Sequence, residues 1–354
     1  MLRIIQRDRN MTKAKAIKSF KTKGPHEGEC GDRNVLELPP FYLHEEFKRE
    51  FPELFPEGVI YHYTSSDVLC KLTSEDASLY ATYYRSLNDD GEYDKGMSYV
   101  LKQYLPKCQK KIHLLLTKEF PELFDDGIDT GESLFLYTPW VTSFSLAPDL
   151  LSQWIAYTPP TSGGVAIGFD FDAMEQAIKT SVCVRRERCS VDAHALDYEM
   201  HFLPCIYLHD DHIMAKRMLD FLFEKYWPRF SLTVQSRVEK KQKRRAKAIS
   251  ALLVINLFSA IAKDASFFAE REFRIVLLVK DPDYLKKMEL VGGKPRLKVP
   301  ITEETTVKIN KLISSVTISP HGDKRLLRSI VFFTRHRDGL KFNVYNSKSP
   351  YNGR

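Results

Sequence analysis

The sequence predicts an α+β domain, and three observations predict it. Short β-rich runs recur between longer helical segments, 43% of the residues are apolar and 12% aromatic, and no internal repeat or low-complexity tract is present. Enough apolar material exists for a packed core, which excludes a wholly disordered chain.

In chain order, residues 1–34 form a basic segment expected to be flexible. It carries Arg3, Arg7, Arg9, Lys13, Lys15, Lys18, Lys21 and Lys23 against the single acid Asp8. Lacking the apolar stretch of a secretory signal, it reads as a solvated tail or a transit-type leader, with Met11 as a second start. One domain is expected over residues 35–354, opening after a stretch punctuated by Pro39, Pro40, Pro52 and Pro56. Residues 59–64 are a short β-rich run read as a strand, and Ser65 offers an N-cap for a helix through Leu72. Strands are expected at 79–84, 141–145, 164–171, 273–280, 311–319 and 342–345, with a turn at 87–91 and helices at 92–116, 148–157 and from Asp323. A helical, basic insertion is expected at about 210–263, with helices at 212–226 and 232–262.

The 53 Lys and Arg residues exceed the 46 Asp and Glu residues by seven, a modest positive excess. The most apolar stretch, 249–258, is half the roughly 20 residues of a bilayer span, so no membrane span is expected. Six cysteines without a CxxC pair read as reduced thiols of a cytoplasmic protein, and no metal site is expected. P-loop, HExxH, GxSxG and GxGxxG patterns are all absent.

Three groups of residues carry chemistry. Glu270 and Glu272, two apart on an expected strand, fall on one side and suit acid–base or charge-stabilising work; paired with Arg271 and Arg274 they also suit a plain strand start. His62 lies in an aromatic strand beside Tyr63 and Thr64, where it serves either as a bonded core residue or as a ligand contact. Lys240, Lys241, Lys243, Arg244, Arg245 and Lys247 cover most of a helix circumference, a solvated face or a phosphate-binding surface.

Read together, Tyr61-His-Tyr-Thr-Ser65, Leu87-Asn-Asp89 with Glu92, Ser143-Phe-Ser145, Trp154 with Tyr157, residues 164–170, residues 270–274 and Ser349-Pro-Tyr351 resemble a large uncharacterised bacterial family, a domain of unknown function, over roughly residues 58 to 352. That pattern is itself similar to NAD-dependent ADP-ribosyltransferases, including the DarT-like DNA-modifying toxins. The resemblance implies a split antiparallel β-sheet core with helical insertions. It implies NAD as substrate, held by His62, Tyr63, Thr64, Ser143, Ser145 and Trp154, with Glu272 as the catalytic carboxylate and Glu270 facing the acceptor. The implied activity is ADP-ribosyl transfer to nucleic acid or protein, as a toxin or anti-phage effector with an antitoxin or regulatory partner. An NAD glycohydrolase and a non-enzymatic nucleic-acid-binding or partner-binding protein are the alternatives.

Overall fold

The computed structural model describes residues 42–87, 91–124, 138–188, 198–209, 212–228, 231, 242–279, 283–301 and 307–350. Its centre is β8 (Glu272–Val279), buried along all eight residues. Burial on both faces explains why this strand reads as an almost continuous apolar run rather than an alternating one. β5 (Tyr198–Pro204) pairs with one edge of β8 and β3 (Thr138–Ser145) with the other, both antiparallel. Beyond β3 the sheet divides. One branch runs through β1 (Val59–Thr64), β4 (Val165–Asp170), β11 (Ile313–Ile318) and β12 (Asn343–Asn346); the other runs through β2 (Tyr80–Tyr83), β10 (Lys294–Lys298) and β9 (Glu289–Val291). Among the described residues, only the β11–β12 pairing in this ten-stranded sheet is parallel. A separate pair, β6 (Ile206–Leu208) and β7 (Ala262–Asp264), is also parallel.

Side-chain alternation on β3 and β8 feeds two cores. Val141, Val276 and Leu278 join the first, with the long helix Lys243–Ile261 and the helices Tyr42–Glu50 and Ile213–Phe221. Trp140, Phe144, Phe273, Ile275 and Leu277 join the second, with Ser66–Leu72, Phe171–Arg188 and Lys324–Arg337. From Ala248 onward the long helix is almost wholly buried, as a helix apolar on all sides must be. Two of its buried polar residues are bonded: Tyr93 donates to Asn256 Oδ1 at 2.8 Å, and Trp227 Nε1 donates to Ser250 Oγ at 3.0 Å. No helix among the described residues is long and apolar enough to cross a membrane.

Most expected elements appear within a few residues of their expected ends. The helix expected at 92–116 is interrupted instead: Glu92–Ser98 passes into a π-helical stretch, Tyr99–Tyr104, then Leu105–Cys108, and restarts at Lys110–Glu119. Pro106, which has no N–H to continue the ladder, stands two residues past the end of the π turn. Of the helix expected at 232–262, Lys243–Ile261 is seen, while 232–241 and the turn residues 88–90 lie outside the described residues. Strand β5, the β9–β10 hairpin and the helix Phe171–Arg188 have no counterpart among the expected elements; the lysines and arginine of β10 mask its strand character.

Close backbone approach fixes where β1 meets β4. A Cβ on Gly164 would lie 2.2 Å from the Thr64 carbonyl oxygen, so only glycine fits. Gly164→Ala is expected to lower stability by about 1–3 kcal/mol, read as a fall in melting temperature. An unchanged melting curve would show that the strand ends part freely.

Candidate functional site

A strand has two edges, and one edge of β3 is taken entirely by β8. The other edge is shared, with Trp140 and Val141 opposite Tyr83 and Thr82 of β2, and Ser145 opposite Tyr61 of β1. The stretch between, Thr142 to Phe144, has no strand beside it on that edge, and side chains rather than a ladder cross the gap. Thr142 Oγ1 donates to the Tyr80 carbonyl at 2.9 Å, and His62 Nδ1 donates to the Ser143 carbonyl at 3.0 Å. Because a carbonyl only accepts, Nδ1 carries the proton and Nε2 keeps a lone pair. Burial holds the imidazole pKa below its ordinary value, partly offset by the Ser143 bond and reinforced by the nearby Arg296 charge.

A cavity of about 280 Å³ opens at this fork. His62 and Thr64 of β1, Ser143 of β3, Gln153 and Tyr157 of the helix Leu151–Tyr157, and Arg296 of β10 line it. Among the described residues the side chains of Thr64, Ser143, Gln153, Tyr157 and Arg296 make no hydrogen bond, and the Arg296 Nε is buried without a partner.

Next to it lies a buried charged cluster. Lys263 Nζ reaches Glu92 Oε1 at 3.2 Å and Glu270 Oε2 at 2.5 Å, and it also bonds Glu272 Oε2. Arg274 donates through Nε to Glu272 Oε1 at 2.6 Å, through Nη2 to Glu92 Oε2 at 2.7 Å, and through Nη1 to the Ala260 carbonyl at 2.7 Å. Three carboxylates face two cations, so the fully ionised cluster carries one excess negative charge. The two central carboxylates diverge. Burial raises both, but Arg274 and Lys263 bond both oxygens of Glu272 and hold it well below the usual range. Glu270 stays raised, burial outweighing its contact with Lys263. At the cavity wall the Tyr157 phenol is raised by burial and then by the field of Glu272.

Several expectations need correcting in their geometry. Glu270 and Glu272 converge, but not through strand alternation: Glu270 ends a 3-10 turn, Ala265–Glu270, and Arg271 adopts a left-handed φ of 44° before β8 starts. Trp154 is fully buried, donating to Asp149 Oδ1 at 2.7 Å, with its ring 4.7 Å from that of Tyr63, so neither presents a face to the cavity. The Tyr63 hydroxyl instead ties down the following loop, donating to the Ala147 carbonyl and accepting from the Leu150 amide. Ser145 also lies away from the cavity, donating to the Glu270 carbonyl at 2.7 Å and so fixing that residue's backbone. Lys263 and Arg296 were missed; a lone lysine closing a long apolar helix was the available signal for the first.

Lys240 and Lys241 lie outside the described residues. Lys243, Arg244, Arg245 and Lys247 are exposed; Arg244 pairs with Glu119 at 2.9 Å, Arg245 lies over Phe120 and Lys247 over Trp227. Lys247 stands about 20 Å along the helix from Ala260, at a rise of about 1.5 Å per residue. Among the described residues no group of His, Cys, Asp and Glu is disposed to hold a metal ion.

Fold and site together define a mixed α+β protein with a cavity lined in part by polar side chains beside a buried carboxylate cluster. Residues 153–275 match the model of a family described as protein of unknown function (DUF2971). That span holds Lys263, Glu270, Glu272 and Arg274 together with Gln153 and Tyr157 of the cavity, and leaves out the walls given by His62, Ser143 and Arg296. No curated protein and no solved structure matches the chain.

The opposed carboxylate shifts give a pH signature. Glu272, depressed below 4.5, contributes stability that is present above that pH and lost as pH falls through its folded value. Glu270, raised above 4.5, contributes stability that is present below that pH and lost as pH rises through its folded value. In urea unfolding across the acid and neutral range, Glu272→Gln is expected to flatten the acid limb and Glu270→Gln the limb above 4.5. Removing one partner of the buried cluster, as in Lys263→Met, is expected to cost about 3–5 kcal/mol at neutral pH. Parallel pH profiles for both glutamine variants would contradict this division.

Proposed function

We propose that the chain is an NAD-dependent ADP-ribosyltransferase that modifies nucleic acid or protein, with the nicotinamide ribose bound in the fork cavity. The observation that carries the reading is that His62 and Ser143 line one cavity whose wall, at Tyr157, feels the negative field of Glu272. Breaking the bond between the ribose C1′ and nicotinamide nitrogen sends the electron pair to nicotinamide and leaves an oxocarbenium-like centre. An excess negative charge beside the cavity favours that centre. The acceptor's lone pair then forms the new bond to C1′, and its proton is assigned to Glu270, the carboxylate whose raised pKa suits a base, although Glu270 stands in the adjoining cluster and not in the cavity lining. Glu272, ion-paired through both oxygens, acts through its field rather than by contact. Water as acceptor would make the same site an NAD glycohydrolase. The exposed cations at the start of the long helix support a phosphate-bearing acceptor, and the reading extends to a toxin or anti-phage effector restrained by a partner.

One observation favours a second reading. A Glu272 with both oxygens satisfied also describes a purely structural ion cluster, which leaves a ligand-binding protein without chemistry. Labelled NAD incubated with the protein and DNA, RNA or protein acceptors separates the two. Nicotinamide release with label on one acceptor fraction is expected, and silence with every acceptor favours the binding protein. Glu272→Gln, checked by melting temperature, is expected to reduce turnover on the order of 10²-fold in kcat with KM little changed. Changing Lys243, Arg244 and Arg245 together to Ala is expected to weaken nucleic-acid binding and flatten its salt dependence. Undetectable nucleic-acid binding by the parent would make these cations a solvated surface.

A further inference from the structure

Strand β10 carries an arrangement that no sequence motif announced. Period-two alternation turns Leu297 into the core and places Lys294, Arg296 and Lys298 on the other face. Lys298 is balanced by Glu289 at 3.5 Å. Glu289 stands opposite Arg296 in the β9–β10 ladder, yet its carboxylate is engaged with Lys298 and with the Tyr80 hydroxyl at 3.1 Å, and it makes no ion pair with Arg296. Arg296 is therefore a half-buried guanidinium whose Nε is shut off from solvent, with no hydrogen-bond or salt-bridge partner among the described residues. A charged group taken out of water without a counter-ion is costly, and folded proteins rarely keep one. Burial accordingly lowers its pKa.

The surroundings identify the missing partner. Among the described residues, the cavity lining includes Arg296 and neither aspartate nor glutamate, a lining that favours an anion. A guanidinium offers a planar fork of donors that matches two phosphate oxygens at once. Elsewhere in the lining, Thr64, Ser143 and Tyr157 present hydroxyls, Gln153 an amide and His62 the lone pair on Nε2, groups that suit sugar hydroxyls. A volume of about 280 Å³ is close to the lower bound of roughly 300 Å³ for small-molecule sites, the scale of a sugar phosphate or a single nucleotide.

We infer that the fork cavity binds a phosphate ester on a hydroxyl-bearing ligand, with Arg296 holding the phosphate. The inference goes beyond the transferase reading, since it requires neither NAD nor any reaction. Calorimetric titration of the full chain with ribose 5-phosphate and adenosine monophosphate, against ribose and adenosine, tests it. At least one phosphorylated probe is expected to bind, with its unphosphorylated counterpart weaker by about tenfold or more. Arg296→Gln is expected to abolish that difference at an unchanged melting temperature. Arg296→Lys, which keeps the charge and loses the fork, is expected to retain part of it and guards against a folding defect in the glutamine variant. Binding by neither phosphorylated probe, equal binding of probe and counterpart, or full affinity in folded Arg296→Gln would overturn the inference. NAD turnover is measured separately, so a protein that binds sugar phosphates without cleaving NAD would sink only the transferase reading.

Discussion

The structure depends on how the free edge of β3 is divided. Two strands share an edge that one would fill, and they leave three residues between them without a backbone ladder. Buried peptide groups must be bonded. His62 meets the Ser143 carbonyl and the Thr142 hydroxyl meets the Tyr80 carbonyl of β2, and the two branches of the sheet leave a space of about 280 Å³ between them. The cavity is thus a product of strand pairing rather than of a loop, which gives it rigid walls on β1, β3 and β10.

The pairing of β3 with β8 meets a different demand. Ser145 and Ser143 lie opposite Glu272 and Arg274 in the β3–β8 ladder, so charge is carried into the most buried strand of the molecule. Burying five charges is tolerable only because nearly every donor and acceptor finds a partner of opposite sign. The cluster also ties distant elements together: Glu92 comes from one helix, Lys263 from β7 and Arg274 from β8, with Arg274 closing on the end of the long helix through Ala260.

Strand β1, the buried β4, the helix capped by Asp323 and the mixed class were legible because their patterns are local. His62, Ser143 and the pair Glu270 and Glu272 were legible as residues, since motif spacing marks chemistry-bearing types. Their true arrangement was not. Sequence periodicity places Glu270 and Glu272 on one face of a strand, whereas a left-handed Arg271 and a shared lysine bring them together. Lys263 and Arg296 depend on contacts with residues far off in the chain, and no local pattern records such contacts. Trp154 illustrates the reverse case: its aromatic character invited a ligand role, but a neighbouring Tyr63 and a loop carboxylate occupy it fully.

The long helix carries one further consequence. Its peptide dipoles sum to roughly half a positive charge at the start and half a negative charge at the end. At the end, Arg274 lies against the Ala260 carbonyl, a cation where the dipole favours one. At the start, Lys243, Arg244, Arg245 and Lys247 crowd the pole that repels them, and Glu119 relieves only Arg244 among the described ion pairs. A polyanion seated there would reinforce the helix electrostatically instead of straining it, so binding at that end and the integrity of a buried core helix would rise and fall together.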